Sequence, residues 1–336
     1  MLWPVILLIQ IKSYRYRPSK RRLCMKYTAH EGVKMPSIGG QAVMEGVMMN
    51  GSHHYSLAVR KQDGSIVSHI FPHESVTEKN KFYNLPIIRG IIRFGESLSI
   101  GTKTLNLSAD YYLEEPDQQP LSQQEKAKQK KKEAAETAVT MVLAFVLALG
   151  LFVALPIYIS RLLSLYVFHN HYLLGVMEGV IRMILFLAYL LSISKIKDVH
   201  RLFKYHGAEH KSINCFEAGL DMTVENVKKM SRYNRRCGTS FLFIIMFVSI
   251  LIFSLIQITQ PLARFLIHLA MIPVIAGVSY EILKLSARSD NKFLKALTQP
   301  GIWIQHITTQ EPDDEQIEVG IESVRKLFET EHPEYL

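Results

Sequence analysis

The sequence predicts an α-helical integral membrane protein with four transmembrane helices and a small N-terminal α+β cytoplasmic domain. Three observations carry this. Four apolar blocks approach the roughly 20 residues that a bilayer core demands, at Ala138–Ile159, Leu173–Ile193, Phe241–Ile258 and Leu262–Leu283. Charged segments bracket them, so 48% hydrophobic residues coexist with 21% charged ones. A valine- and glycine-rich stretch of strand character precedes them all.

The charges also predict orientation. Lys126, Lys128, Lys130, Lys131 and Lys132 precede the first block, and Lys195, Lys197, Arg201 and Lys204 follow the second. Arg232, Arg235 and Arg236 precede the third, while Lys284, Arg288, Lys292 and Lys295 follow the fourth. The other two connections carry only Arg161. The positive-inside rule then places both termini and the middle loop in the cytoplasm. The net charge of +9 is explained by this distribution, and no nucleic-acid partner is expected.

The 336 residues divide into a 1–37 extension, a 38–112 α+β domain, a 113–136 charged linker, a 137–285 transmembrane domain and a 286–336 tail. Met1–Ile11 is apolar but too short to span, and its basic cluster follows it, the reverse of a secretory signal. It reads as an interfacial anchor, or as sequence ahead of a later start at Met25 or Met35. In the α+β domain, Tyr55–Arg60 and Ser65–Phe71 form a hairpin through Gln62-Asp63-Gly64, and Gln41–Met49 supplies another strand. Arg89–Leu107 reads as a helix that Gly90, Gly95 and Gly101 weaken in isolation, so it packs on the sheet or the membrane surface. In the tail, Pro312-Asp313-Asp314-Glu315 opens a helix whose stripe is Ile317, Ile321, Val324 and Phe328.

The chemistry concentrates in the middle loop, 194–238. His206 and His210 stand four apart, so a helix brings both imidazoles to one face, within reach of one metal ion. Glu209 beside them is the candidate general base, in the H-x-x-E-H order of inverted zinc-hydrolase helices. Zinc takes about four ligands, so a third protein group is needed, and Glu217, Cys237 and Glu281 are the candidates. Cys24, Cys215 and Cys237 are too few, on a reducing side, to imply a disulfide framework.

Within the apolar blocks, Glu178 and Arg182 have the spacing of a helical ion pair, and Arg264 and His268 are further intramembrane polar residues. An interhelical clamp explains them, with a transport pathway as the sharper alternative. Glu45 is a lone acid in an apolar run, which an edge or turn explains as well as a site does.

Gly39-Gly40-Gln41-Ala42-Val43-Met44-Glu45-Gly46-Val47-Met48-Met49 resembles the opening of the YqhQ family of polytopic membrane proteins. The resemblance continues through Arg89-Gly90, Phe203–Glu217, Cys237-Gly238-Thr239-Ser240-Phe241, Pro273–Glu281 and Pro300-Gly301 to Thr308-Thr309-Gln310-Glu311-Pro312. It implies a membrane protein, in a family described as predicted metal-dependent enzymes. One departure stands out. The family pattern carries His-Pro ahead of Arg-Cys-Gly-Thr-Ser, where this chain has Asn234-Arg235.

The expected function is therefore a divalent-metal hydrolase, with zinc the expected ion, acting at the cytoplasmic face on a lipid headgroup or a membrane-associated peptide. A non-enzymatic scaffold binding a protein partner or anionic lipid is the first alternative, and a small transporter is the second.

Overall fold

The structure is a computed structural model and describes residues 24–25, 38–113, 123–166, 171–256, 258, 260–288 and 291–333. The readings of Met1–Ile11 and of the translation start lie outside the described residues. The chain forms two compact units, one built from 1–14, 115–199 and 246–272, the other from 15–114, 200–245 and 273–336. The α+β unit thus draws on three separate segments, where the sequence had suggested 38–112 alone.

In that unit, β2 (Gly39–Val43), β3 (Gly46–Asn50), β4 (His54–Arg60) and β5 (Ile66–Pro72) form an antiparallel meander in chain order. A two-residue strand, β1 (Cys24–Met25), pairs with β6 (Met222–Thr223). The expected Gln41–Met49 strand is two strands, because the chain reverses at Met44-Glu45, where Glu45 has a φ of 49°. The second hairpin turns as read: Gly64 has a φ of 84°, and Asp63 Oδ1 accepts from Ser65 N at 2.8 Å.

Both faces of this sheet are covered, which explains why β3 and β4 lack the polar–apolar alternation of a half-exposed antiparallel sheet. After the short α1 (Val76–Lys79), α2 (Ile88–Leu113) meets one face, through His69 stacked on Tyr111 at 4.9 Å and Ser108 Oγ accepting from Met44 N at 3.1 Å. Gly90 of α2 crosses Gly277 so closely that a Cβ would lie 2.8 Å from the Gly277 carbonyl oxygen. The other face meets α11 (Asp314–Glu331), where Ser56 Oγ donates to Ser323 O at 2.7 Å and Ser68 Oγ to Glu322 at 2.6 Å. At its far end, Glu331 accepts from Ser52 N at 2.8 Å and His53 N at 2.6 Å.

The tail helix is thus more than a docked stripe. Its opposite side packs on α6 (Lys197–Glu217), with Phe328 against Phe216 at 4.5 Å and Gly320 against Ser212 and Ala208. Covered on both sides, it buries Glu318 and Glu322 along with its apolar residues. Within the loop read as 194–238, α6 is followed by α7 (Val224–Lys229). Before α11 runs α10 (Lys292–Thr308), a helix with no apolar stripe noted from the sequence and with Pro300-Gly301 inside it.

The other unit is helical. α3 (Gln123–Leu149) runs through a π turn at Gly150–Ala154 into α4 (Leu155–Tyr166), followed by α5 (His171–Ile193). The C-terminal part of α8 (Gly238–Leu255) and the N-terminal part of α9 (Pro261–Arg288) complete it. Gly175 and Gly179 of α5 allow close approach to α8: a Cβ at Gly175 would lie 2.6 Å from the Phe253 carbonyl oxygen. Among the described residues, four helices are long and apolar enough to cross a membrane, at Ala135–Tyr166, Leu173–Ile193, Gly238–Leu255 and Pro261–Ser286.

Candidate functional site

α6 carries the H-x-x-E-H residues at its centre, all in the α+β unit. Its helical spacing puts the His206 and His210 rings 4.4 Å apart, and α6 needs a close neighbour to orient them. That neighbour is the segment after α10. Gly207 lacks a Cβ, and one placed there would collide with the Gln310 carbonyl oxygen. The absence of that atom lets Gln310 N donate to Phe203 O at 2.9 Å and brings Thr308 alongside His206.

Each histidine then finds a carbonyl. His206 Nδ1 lies 2.8 Å from Thr308 O, and His210 Nδ1 lies 2.6 Å from Arg232 O. A carbonyl only accepts, so both Nδ1 atoms carry hydrogen and both Nε2 atoms are left to face elsewhere. They face Cys237. His206 Nε2 is 3.2 Å from Cys237 Sγ, and potential ligand atoms of His206, His210 and Cys237 all lie within 4.8 Å of one another. His210 Nε2 is buried with no hydrogen-bond partner, as is Glu209 Oε2.

Cys237 precedes the first residue of α8, where Thr239 N and Oγ1 approach its sulfur at 3.5 and 3.3 Å. Burial raises its pKa, but the facing His206 and His210 more than offset this and hold it well below the ordinary thiol value. Burial lowers His206 in turn, and the opposing Cys237 and Glu209 overcome it to bring the imidazole up to about 9. The two shifts run together, the charged form of each group favouring the charged form of the other. Glu209 is pushed up by burial, against the pull of His206 and His210. Above it runs β2, where a Cβ at Gly40 would lie 2.7 Å from Glu209 Cγ.

The remaining candidates are engaged elsewhere. Glu281 pairs with Arg89, whose Nε donates to its Oε1 at 2.6 Å. Glu217 pairs with Arg236. Glu45 accepts from Arg201 Nη2 at 2.6 Å and Tyr205 Oη at 3.0 Å, so it anchors the β2–β3 turn to α6. Among the described residues, neither Glu281 nor Glu217 joins the His206–His210–Cys237 group. Asn234, which stands at the departure from the family pattern, spends its side chain on the turn, with Oδ1 accepting from Arg236 N at 2.8 Å. Gln305 clamps the same turn, accepting from Asn234 N at 2.9 Å and donating to Asn234 O at 2.7 Å.

Sequence reasoning missed the backbone half of this site. Thr308 and Arg232 contribute carbonyls, which any residue type supplies. Gly40, Gly207 and Gln305 did leave a signal, since all three sit within or beside the quoted strings.

A family model described as "Protein of unknown function (DUF1385)" matches residues 85–330. The chain belongs to this family. "Uncharacterized protein YqhQ" of Bacillus subtilis (strain 168) is 39% identical to it over 299 residues, which are 88% of this chain and 93% of that protein. No solved structure matches the chain. The DUF1385 match takes in α6, Cys237 and the 308–312 segment, and the relative's similarity covers most of the chain.

Proposed function

We propose that this protein is a membrane-embedded, zinc-dependent hydrolase whose metal is held by His206, His210 and Cys237, with Glu209 as general base. The observation that carries the reading is the shared convergence: two imidazoles fixed through Nδ1 on backbone carbonyls, with their neighbouring thiolate within 4.8 Å. Metal-ligating histidines are oriented in this way by their second nitrogen. A buried His210 Nε2 without a partner fits a ligand atom better than a structural histidine. Two nitrogens and one thiolate suit zinc, and three protein ligands leave one position open.

Held by His206, His210 and Cys237, zinc would supply acidification of a water and polarisation of a carbonyl or phosphoryl oxygen. Glu209 takes the proton from the attacking water as the water oxygen bonds to the substrate centre. It then passes that proton to the departing oxygen or nitrogen as the scissile bond breaks. Its burial keeps the carboxylate away from bulk solvent, and its unpartnered Oε2 is free to receive the proton. The substrate class is a lipid headgroup or a membrane-associated peptide, since the same chain carries four helices apolar enough to cross a membrane among its described residues.

A second reading rests on the 3.2 Å His206–Cys237 contact, which is also the geometry of a cysteine nucleophile beside its imidazole. Alkylation separates the two. After chelation, iodoacetamide is expected to modify Cys237, which is only partly buried, and one equivalent of zinc is expected to slow modification by at least about tenfold by occupying the sulfur. Equal rates with and without zinc would move the cysteine reading ahead. A protein that neither takes up metal nor reacts at Cys237 would leave the scaffold reading first.

The charge distribution supports a topology with both termini and the α+β unit on the cytoplasmic side. An Asp63→Cys reporter at the exposed β4–β5 turn is expected to react with an impermeant maleimide only after the membrane is opened. Labelling of intact cells would reverse the topology.

A further inference from the structure

The helical unit holds a second polar cluster. Glu178 and Arg182 of α5 and Arg264 and His268 of α9 are all at least nine-tenths buried, at 1%, 8%, 4% and 2% exposure. Glu178 Oε1 accepts from Arg182 Nη2 at 2.9 Å, and Oε2 accepts from Arg264 Nε at 2.8 Å. Arg182 also donates from Nε to Phe152 O at 2.8 Å, inside the π turn, where the shifted ladder frees carbonyls, and from Nη1 to Ser249 Oγ at 3.2 Å. Arg264 Nη1 donates to Ile258 O at 3.0 Å. Arg264 Nη2 is buried and has no partner.

The charge of the cluster follows from counting protons. His268 Nδ1 lies 2.7 Å from the Arg264 carbonyl oxygen, so this nitrogen carries hydrogen. Its Nε2 lies 2.5 Å from Glu178 Oε1, at an angle poor for a hydrogen bond but too close for two bare lone pairs. One more proton therefore sits on the histidine or on the carboxyl group. In either placement that pair is neutral together, and the two guanidiniums leave a net charge of +2. Glu178 is the sole acid among the described residues of 137–166, 171–193 and 246–272, so the helices supply no further counter-charge. An uncompensated charge of this kind among apolar helices is strongly unfavourable. The clamp between helices accounts for Glu178 but not for the excess.

We propose that this cluster is an anion-binding site, and that its occupant is a small monovalent anion of halide size held at Arg264 Nη2. The donor count sets the size. A tetrahedral oxyanion presents four acceptor oxygens, whereas Arg264 Nη2 offers two N–H donors, and Arg182 and the other Arg264 nitrogens are each already held by one hydrogen bond. Phe253 walls the site, stacked on His268 at 3.6 Å and under Arg182 at 5.5 Å, which favours an ion that sheds water readily.

The test is thermal unfolding of the full chain in nanodiscs at fixed ionic strength, with sodium chloride, bromide or gluconate. Wild type is expected to melt at least about 2 °C higher in chloride and bromide than in gluconate, because an ion that binds only the folded state stabilises it. Arg264→Gln is expected to erase that difference. Glu178→Gln is expected to leave it in place, since a neutral amide and a neutral imidazole replace a pair that is already neutral and the two guanidiniums keep their charge of +2. Equal wild-type midpoints in the three salts would overturn the proposal, as would a halide effect that persists in Arg264→Gln. Should Arg264→Gln fail to fold, Arg264→Lys decides, because it keeps the charge but removes Nη2: a smaller halide effect supports the site, and an unchanged one overturns it.

Discussion

Replacing His210 with alanine is expected to cost most of the affinity for zinc, in a protein that otherwise remains folded. The imidazole is one of the three proposed ligands, and no other His, Cys, Asp or Glu among the described residues joins the group to replace it. Site affinities of roughly 10–16 kcal/mol shared over the ligands imply a loss of about 3–5 kcal/mol, or a hundredfold to several thousandfold in dissociation constant. The fold should tolerate the change because the His210 side chain touches the 231–237 turn through one hydrogen bond, while Gln305 holds that turn independently. Competition against a chromophoric chelator measures the affinity. A variant that binds zinc as tightly as wild type would remove His210 from the ligand set.

The second large effect concerns the tail. Arg60→Met is expected to destabilise the α+β unit by about 3–5 kcal/mol, the cost of stranding a buried charge. Arg60 is 2% exposed, and its Nη2 donates to Glu318 Oε2 at 2.8 Å and to Glu315 O at 2.7 Å, tying β4 to α11. Methionine keeps the volume of the stem but leaves the buried Glu318 without its partner. The double variant Arg60→Met, Glu318→Leu should recover most of the loss, because it removes both charges together. Denaturant midpoints and protease sensitivity of α11 report both outcomes. A single variant within about 0.5 kcal/mol of wild type would mean that the pair does not join sheet to tail.

What the sequence revealed was what periodicity and local chemistry encode. The four apolar blocks matched apolar helices within a few residues at most ends, although the first helix runs on through a π turn that no residue pattern announces. His206, Glu209 and His210 could be grouped because a helix fixes their spacing. Cys237 could only be one candidate among three, since its approach depends on a turn held by Gln305 from a helix that Pro300 concealed. Glu281 and Glu217 seemed equally placed because their arginine partners, Arg89 and Arg236, lie 192 and 19 residues away in the chain. The α+β domain looked local because hairpins are local. Its second cover, α11, comes from the other end of the chain, and the acids it buries are polar at just the positions a hydrophobic stripe would leave to solvent.

The most direct test of the metal centre is the metal content of the full chain, purified without chelator or histidine tag and read by elemental analysis. About one equivalent of zinc is expected in wild type, the same in Glu209→Gln, and little in His206→Ala or His210→Ala. Wild-type protein that carries no divalent metal, and takes up none when zinc is added, would contradict the proposed metal centre.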